Sequence, residues 1–270
     1  MQNSLISKVA NDHRVYGTLL TSTSPHMPPV VSSLGLDFVF IDTEHICIDR
    51  EKLSWMCRTY SAMGIVPIVR IPSPDPYLAS MALDGGAVGI LAPYIETVEQ
   101  VKALCGAVKR KPLKGQRLTE ILNGKPVSEN TENYLRNYAQ DRLLLINIES
   151  QPALDNLPEL LNVSGLDGII VGPHDLSVSL DVPEQYHDEK FLRTLQKIID
   201  TSRATLPITG VHFMDAGDTQ DMGNWMKMGF NLLIAHADLV YLKRGLSQEL
   251  SAMRDLFGEQ SKDDGKSIHV

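Results

Sequence analysis

The sequence has few cysteines and lacks the patterns that cysteine-dependent proteins show. Its three cysteines, Cys47, Cys57 and Cys105, form no Cys-x-x-Cys pair and have no spacing typical of a metal site. An odd number of cysteines also does not suit a disulfide framework, which small secreted domains use. We therefore expect reduced thiols and a cytoplasmic protein.

Long apolar runs and an excess of positive charge are missing as well. No run of 18 apolar residues is present, so no transmembrane helix is expected, and MQNSLISKVANDHR at the start lacks the apolar segment of a secretory signal. Lysine and arginine number 25 against 33 aspartates and glutamates, which gives a formal net charge of −8. This balance argues against nucleic acid and anionic membrane surfaces as partners.

What the sequence does contain is a repeated alternation of short apolar runs with longer segments of helical spacing. Of its 270 residues, 43% are hydrophobic, which is enough for one large core. Short apolar runs that alternate with helices are typical of βα units around a parallel sheet. The predicted strands are Tyr16–Thr21, Phe38–Asp42, Ile65–Arg70, Gly89–Ala92, Leu143–Ile148, Gly168–Val171, Ile208–Val211 and Leu232–Ala235. The predicted helices are Arg50–Met63, Tyr77–Leu83, Val98–Val108, Gln151–Leu161, Glu189–Ala204, Thr219–Met228 and Leu239–Leu256.

Eight such units predict a single-domain α/β protein, a (β/α)₈ TIM barrel over residues 1–258, followed by a disordered tail at 259–270. An open doubly wound sheet is the alternative, but no glycine-rich phosphate turn follows the first strand. The alternation of strands and helices is interrupted at about residues 109–141. This stretch begins KRKPLKGQR and shows helical character only near Asn133–Ala139. We interpret this stretch as an excursion on the side of the βα loops. It is either simply solvated, or it covers the site or contacts another subunit.

Ionisable side chains follow most of the predicted strands at their carboxyl ends, where a (β/α)₈ barrel has its active site. Each has a simpler explanation when taken alone, since a carboxylate after a strand often caps the next helix, and a buried arginine or histidine often serves ion pairing or packing. Their convergence at one rim favours a joint function, because buried charges are costly unless they are paired or bind a metal. In chain order, these residues are Asp42, Glu44, His45, Arg70, Glu149, His174, Asp175, His212 and His236.

Two of these residues form a hard oxygen-ligand pair. Glu149 and Asp175 follow adjacent strands and have no cysteine nearby, which suits a divalent metal with open positions for water and substrate oxygens. Mg²⁺ or Mn²⁺ is expected, and Co²⁺ or Zn²⁺ stays open because the affinity order does not fix occupancy in cells. The turn Gly172–Asp175 (GPHD) opens a helix, where backbone N–H groups can receive an anion.

The remaining residues suit proton transfer and charge stabilisation. His45 lies close to Asp42 in sequence, so that carboxylate can orient the imidazole as a base near neutral pH. Arg70 can stabilise an oxyanion formed beside the metal. A metal, an anion cradle, an oriented base and an arginine are the parts needed to form an enolate from a 2-oxo acid. No lysine ends a predicted strand, which argues against a Schiff-base aldolase.

With these residues in place, the chain resembles the HpcH/HpaI aldolases, metal-dependent class II enzymes that cleave 4-hydroxy-2-oxo acids to pyruvate and an aldehyde. The resemblance covers roughly residues 14–256 and is carried by GLDFVFIDTEH, IVRIPSPDP, GAVGILAPYIETVEQ, INIES and GLDGIIVGPHDLS. It implies a (β/α)₈ barrel whose C-terminal helix is domain-swapped between neighbours. It also implies a homo-oligomer, commonly a hexamer built as a trimer of dimers.

The resemblance further implies a role for each matching residue. His45, paired with Asp42, would be the catalytic base, and Arg70 would bind the keto oxygen and stabilise the enolate. Glu149 and Asp175 would hold the divalent metal. The backbone of the GPHD turn would receive the substrate carboxylate. The predicted substrate-binding residues are Arg70, Gly172, His174, Asp175 and His212.

Two segments depart from the family pattern. Many members carry an RGxG-like segment after the fourth strand, near the aldehyde side of the pocket, where this chain has KGQRLTE (Lys114–Glu120). The acceptor aldehyde is therefore left open. The eighth strand ends IAHADL, with His236 and Asp238, where a glycine- or serine-containing turn is usual. The resemblance assigns no role to Glu44, His236 or residues 109–141.

Three functions stand as hypotheses. The leading one is a carbon–carbon lyase that cleaves or forms a 4-hydroxy-2-oxo acid, with pyruvate and an aldehyde as products, through a metal-stabilised enolate. The second is a condensing enzyme that joins a 2-oxo acid such as oxaloacetate with an acyl-CoA, in which KRKPLKGQR would contact the CoA phosphates. The third is a non-catalytic keto-acid-binding barrel, which has little need of a base such as His45.

Overall fold

A computed structural model describes residues 5–213 and 219–259. Within them, eight parallel strands close into one barrel, each hydrogen-bonded to the next strand in sequence and the last to the first. The strands are β1 (Val15–Leu20), β2 (Phe38–Asp42), β3 (Val66–Arg70), β4 (Gly89–Ala92), β5 (Leu143–Ile148), β6 (Gly168–Val171), β7 (Ile208–His212) and β8 (Leu232–Ala237).

Helices surround the barrel and connect its strands. Most of the predicted helices are confirmed to within two residues. The described helices are α1 (Leu5–Ala10), α2 (Met27–Ser32), α3 (Arg50–Ala62), α4 (Pro76–Gly85), α5 (Val98–Lys109), α6 (Gly115–Leu122), α7 (Glu129–Ala139), α8 (Gln151–Asp155), α9 (Leu157–Leu161), α10 (Pro173–Ser179), α11 (Glu189–Arg203), α12 (Thr219–Met228) and α13 (Asp238–Leu256).

The predicted (β/α)₈ barrel is confirmed, with small differences at element ends. The single helix predicted over residues 151–161 is two helices, α8 and α9, which meet at Asn156. Pro158 explains the break, because a proline has no N–H to continue the helical hydrogen bonds from α8. Residues 260–270 of the predicted tail lie outside the described residues, so its disorder stays a prediction.

The strands are apolar because both of their faces are covered, one by the helices and the other by the barrel interior. Side chains inside such a barrel form layers of four from alternate strands. The strand register places Leu19, Arg70, Asn147 and His212 in one layer at the carboxyl end. Three of these four residues are polar or charged and buried. We call this layer the polar floor, because it closes the barrel interior just below the carboxyl-end rim.

The excursion at about residues 109–141 lies at the opposite end of the barrel from the position predicted for it. It contains two helices, α6 and α7, and α6 was not predicted. The chain leaves β4, returns along α5, and reaches the amino end of β5, where the Leu143 N–H donates to the Val88 carbonyl oxygen. Lys109, at the end of α5, pairs with Asp167 just before β6. Within this chain the excursion therefore cannot cover the carboxyl-end rim.

A cavity of about 570 Å³ lies beside the excursion, between α5, α6, α7 and α9. Its lining includes none of the ionisable residues at the carboxyl ends of the strands. The basic run KRKPLKGQR borders this region, and its first three charges are already paired. Lys109 contacts Asp167, Arg110 contacts Glu132 at 2.6 Å, and Lys111 contacts Asp84.

The last helix, α13, packs on its own barrel only near its start. Asp238 accepts hydrogen bonds from the backbone N–H groups of Thr21 and Ser22, and Val240 is the buried residue of the helix. Along the whole helix, one face exposes a row of large apolar side chains. These are Leu239, Leu242, Leu246, Leu250, Met253 and Leu256. Within residues 5–213 and 219–259, we find no helix with both the length and the apolar character needed to cross a bilayer.

Candidate active site

The carboxyl ends of β2 and β3 bring an aspartate and an arginine together. Asp42 and Arg70 end their strands and lie opposite each other in the register. Arg70 donates from Nε to Oδ1 of Asp42 at 2.8 Å and from Nη2 to Oδ2 at 2.6 Å. Burial alone would raise the pKa of Asp42, but the hydrogen bonds and charge of Arg70 outweigh it and hold that pKa below its ordinary value.

Glu44 provides a second carboxylate beside the same arginine. Its side chain is largely buried, and Oε2 lies 3.0 Å from Nε of Arg70. Its backbone N–H donates to Oδ1 of Asp42 at 3.0 Å. On its other side, Oε1 of Glu44 lies 3.7 Å from Nε2 of His45, whose imidazole is about half exposed. Arg70 is therefore held between two carboxylates, and His45 faces one of them.

The predicted pairing of Asp42 with His45 is not formed in the structure. Arg70 binds both carboxylate oxygens of Asp42, so the carboxylate beside His45 is that of Glu44. The physical reason is the register of the two strands. β2 and β3 end side by side, so the buried charges of Asp42 and Arg70 lie next to each other and neutralise each other. The role of His45 as catalytic base stays a prediction.

Glu149 follows β5 and is held through both of its carboxylate oxygens. Oε1 accepts from the backbone N–H of Tyr94 at 2.8 Å, and Oε2 accepts from Nδ2 of Asn147 at 2.9 Å. Burial, reinforced by the charge of Asp175, raises the pKa of Glu149 to about 7 despite the hydrogen bond from Tyr94. The ionised form is thus costly in the protein alone, and a bound cation would stabilise it.

His174 and Asp175 lie in the first turn of α10, which begins directly after Gly172. Both side chains are more than half exposed at the rim. Nε2 of His174 lies 3.6 Å from Glu184, so this imidazole faces the segment after α10. Glu149 follows β5 and Asp175 follows the adjacent β6, so the two predicted metal ligands come from neighbouring strand ends of the rim. The predicted binding of a substrate carboxylate by this turn is not tested by the structure.

The two strand-end histidines differ in their surroundings. His212 is buried, with its ring edge against Phe40 at 5.1 Å between centroids, and its Nε2 has no hydrogen-bond partner within the described part of the chain. Burial, and then the charge of Arg70, lowers the pKa of His212 to about 3, so it is neutral at physiological pH. His236 packs between Phe213 and Tyr241. His212 therefore reaches the polar floor as a neutral group, and its predicted contact with substrate stays a prediction.

The HpcH/HpaI aldolase/citrate lyase family matches residues 16–232. The chain belongs to that family.

Several relatives of the chain are named for their activities. The 2-keto-3-deoxy-L-rhamnonate aldolase of Escherichia coli (strain K12) is 28% identical over 240 residues, which is 88% of each chain. The aldolase of the same name from Klebsiella pneumoniae is 27% identical over 238 residues, again 88% of each chain. Among solved structures, the citrate synthase SbnG is 27% identical with a TM-score of 0.80, and the match covers 96% of this chain and 100% of SbnG.

Membership of the HpcH/HpaI family confirms the resemblance predicted from the sequence and the predicted enzyme class, a carbon–carbon lyase. An HpcH/HpaI aldolase from Desulfitobacterium hafniense, 23% identical with a TM-score of 0.79 over 94% of this chain and 97% of its own, shares the fold. The relatives named above include both an aldolase and a citrate synthase. Membership of the family therefore does not identify the second substrate of the reaction.

In this family member, the residues at the rim fit a divalent cation. Glu149 and Asp175 offer carboxylate oxygens, which Mg²⁺ and Mn²⁺ prefer. A Cβ atom at Gly172 would come within 2.8 Å of Oε2 of Glu149, so glycine keeps the space beside that oxygen free. In the part of the chain that the structure describes, no cluster of three or more His, Cys, Asp or Glu side chains could hold a metal. Other positions around a cation would therefore go to water and substrate oxygens.

Sequence reasoning missed two residues that hold the site together. Asn147 lies two positions before Glu149, on the same inward face of β5, so the alternation of a strand could have identified it. Tyr94 supplies a backbone N–H from a left-handed conformation with φ +53°. An aromatic residue gives no local signal for that conformation, so only the structure could show its role.

Proposed function

We propose that the protein is a divalent-metal-dependent aldolase that cleaves, or forms, a 4-hydroxy-2-oxo acid, with pyruvate and an aldehyde as the cleavage products. The observation that carries the proposal is the arrangement of Arg70, Glu44 and His45 at the same rim as Glu149 and Asp175. The relatives named 2-keto-3-deoxy-L-rhamnonate aldolases support a hydroxylated 2-oxo acid as the substrate class.

The residues have distinct roles in this proposal. Glu149 and Asp175 would hold Mg²⁺ or Mn²⁺, which when bound polarises the C2 carbonyl of the substrate. Arg70 is fixed by Asp42 and Glu44 and still has N–H donors for the developing negative charge on the C2 oxygen. His45, half exposed beside Glu44, would accept and return the proton. The backbone N–H groups of residues 172–175 would receive the substrate carboxylate.

Pyruvate release from a panel of 4-hydroxy-2-oxo acids tests this proposal. EDTA-treated protein is expected to be inactive, and Mg²⁺ or Mn²⁺ is expected to restore release. The same metal-loaded protein should exchange the C3 protons of pyruvate in D₂O, because enolate formation does not need the aldehyde. A non-catalytic keto-acid-binding barrel would bind pyruvate without exchange. Metal-loaded protein that releases no pyruvate from any member of the panel would contradict the proposal.

A condensing reaction is the second candidate function. The structural likeness to the citrate synthase SbnG favours it, and it uses the same enolate chemistry with a different partner. The predicted contact of KRKPLKGQR with CoA phosphates loses its support, because that segment lies at the amino ends of the strands and its first three charges are paired. Isothermal titration with acetyl-CoA distinguishes the candidates, since an aldolase is expected to show no binding.

We also propose that the chain forms a homo-oligomer through α13. The support is its exposed apolar row, which a single barrel leaves in water. Leu246→Asp places a charge in that row and is expected to lower the mass measured by light scattering. Leu34→Asp is the matched control, because Leu34 is at least as exposed as Leu246 but lies just after α2. An unchanged mass for Leu246→Asp would contradict this assembly.

A further inference from the structure

The turn between β4 and α5 contains a strained residue that contacts the candidate metal site. Tyr94 follows β4 with only Pro93 between them, and its φ of +53° lies in the left-handed region. A non-glycine residue carries strain there, and it keeps that conformation where surrounding contacts impose it. The Tyr94 N–H donates to Oε1 of Glu149 at 2.8 Å. The carboxylate of Glu149 therefore depends on this turn for one of the two hydrogen bonds that hold it.

Gln100, in the first turn of α5, binds the other side of the same residue. Its Nε2 donates to the carbonyl oxygen of Tyr94 at 3.3 Å. Its Oε1 accepts from the backbone N–H groups of Glu96 and Thr97, each at 2.9 Å. An amide side chain can do both because it carries a donor and an acceptor. One side chain thus binds three backbone groups of residues 94–97, and it does so from a helix whose start is fixed by a capping box.

Further contacts tie this turn to the loop after β5. Oγ of Ser150, the residue after Glu149, donates to Oε1 of Glu96 at 2.7 Å. Nδ2 of Asn156 donates to the carbonyl oxygen of Glu96 at 2.9 Å. These contacts fix the turn at Glu96. They do not reach the carbonyl oxygen of Tyr94, which Gln100 binds.

We propose that Gln100 is a positioning residue for Glu149, the predicted metal ligand, and that it acts through the backbone of Tyr94. Its bond to the Tyr94 carbonyl oxygen holds the left-handed turn, and this turn aims the Tyr94 N–H at Oε1 of Glu149. Without that bond, Tyr94 can relax to a negative φ, which turns its N–H away from the carboxylate. The inference rests on the proposed function, in which Glu149 binds a divalent cation.

Gln100→Glu separates this role from the capping of α5. Glutamate is a usual residue of a capping box, so it keeps the acceptor for Glu96 and Thr97 but loses the donor to Tyr94. In metal-free protein, the Tyr94 amide is expected to exchange its hydrogen in D₂O roughly 10-fold faster than in wild type. Isothermal titration with Mn²⁺ is expected to show about 10-fold weaker binding, the lower end for an outer contact to a metal ligand.

Two features make this loss specific. The new carboxylate would by its charge alone strengthen cation binding, so the expected loss has the opposite sign. Gln196→Glu is the matched control, because it removes the donor that Nε2 of Gln196 offers to Asp200 at 2.8 Å on the exposed surface of α11. It should change neither the exchange of the Tyr94 amide nor the affinity for Mn²⁺.

The outcomes distinguish this inference from the proposed function. Wild-type exchange at Tyr94 in Gln100→Glu would overturn the inference. Weaker Mn²⁺ binding in Gln100→Ala with unchanged binding in Gln100→Glu would also overturn it, because Gln100 would then act through the cap of α5. Wild-type protein that binds neither Mn²⁺ nor Mg²⁺ would overturn the proposed metal-dependent function, whereas the exchange of the Tyr94 amide would still decide whether Gln100 holds the turn against Glu149.

Discussion

Glu149→Gln is expected to stabilise the metal-free protein at pH 8 and to have little effect at pH 5. Burial raises the pKa of Glu149 from its ordinary 4.5 to about 7. Above pH 7 the group is ionised in both the folded and the unfolded state, and the folded state bears the cost of the buried charge. Well below pH 4.5 it is protonated in both states. The stability that the protonated carboxyl contributes is therefore lost as pH rises from about 4.5 to about 7.

The size of the effect follows from the same pKa. A difference of roughly 2.5 pH units corresponds to about 3 kcal/mol in the free energy of unfolding. Glutamine has nearly the shape of a protonated glutamate. Its oxygen can accept from the Tyr94 N–H, and its NH2 group can donate to Oδ1 of Asn147, which has no other partner in the described part of the chain, once the Asn147 amide turns over. The variant should therefore behave like the permanently protonated protein, about 3 kcal/mol more stable than wild type at pH 8 and within about 1 kcal/mol at pH 5.

Urea unfolding of EDTA-treated protein at both pH values measures this difference. Glu159→Gln, on the exposed side of α9, is the control and should show no difference that depends on pH. Added Mg²⁺ or Mn²⁺ should then stabilise wild type more than Glu149→Gln, because binding to the folded state adds stability. A Glu149→Gln variant no more stable than wild type at pH 8 would refute the reasoning that the buried charge is uncompensated.

Three further predictions concern the site and the barrel interior. His45→Ala should abolish pyruvate C3 exchange and retain metal binding, which isothermal titration measures. Glu149→Ala should lose both exchange and metal binding. The opposite pattern would mean that the roles of the two residues are exchanged. Gly172→Ala places a Cβ 2.8 Å from Oε2 of Glu149 and should weaken metal binding by about 10- to 100-fold, whereas Gly223→Ala, which meets no atom within 4 Å, should not. Gly17→Ala places a Cβ 2.3 Å from the Phe38 ring and should lower the free energy of unfolding in urea by about 1–3 kcal/mol; an unchanged value would contradict the packing.

The strands were predictable because their signal is local. β2, β4, β5 and β6 have the predicted bounds, since a strand buried on both faces is a continuous apolar run between turns. The excursion was harder because α6 has only 8 residues. Its apolar stripe, Leu118, Ile121 and Leu122, packs toward Gly106 of α5 but is too short to stand out as a helical pattern in the sequence. The position of the excursion at the amino ends of the strands follows from the path of α5, which a local pattern does not show.

For the candidate site, too, the sequence predicted the local features and not the contacts between distant residues. Sequence alone identified Asp42, Arg70 and Glu149 as residues at the ends of apolar strands, because in a parallel barrel all such ends meet at one rim. It did not identify their partners. Arg70 rather than His45 binds Asp42 because the register of β2 against β3 places the two strand ends opposite each other.

The sequence by itself thus determined the barrel, the family and most of the ionisable residues at the rim, since each depends on the order of residues along one strand or turn. The tertiary structure decided which carboxylate faces His45, how Asn147 and Tyr94 hold Glu149, and which end of the barrel the excursion occupies. The physical reason is that these contacts join residues far apart in sequence. Their geometry is set by strand register and by one left-handed backbone turn, neither of which has a local signature.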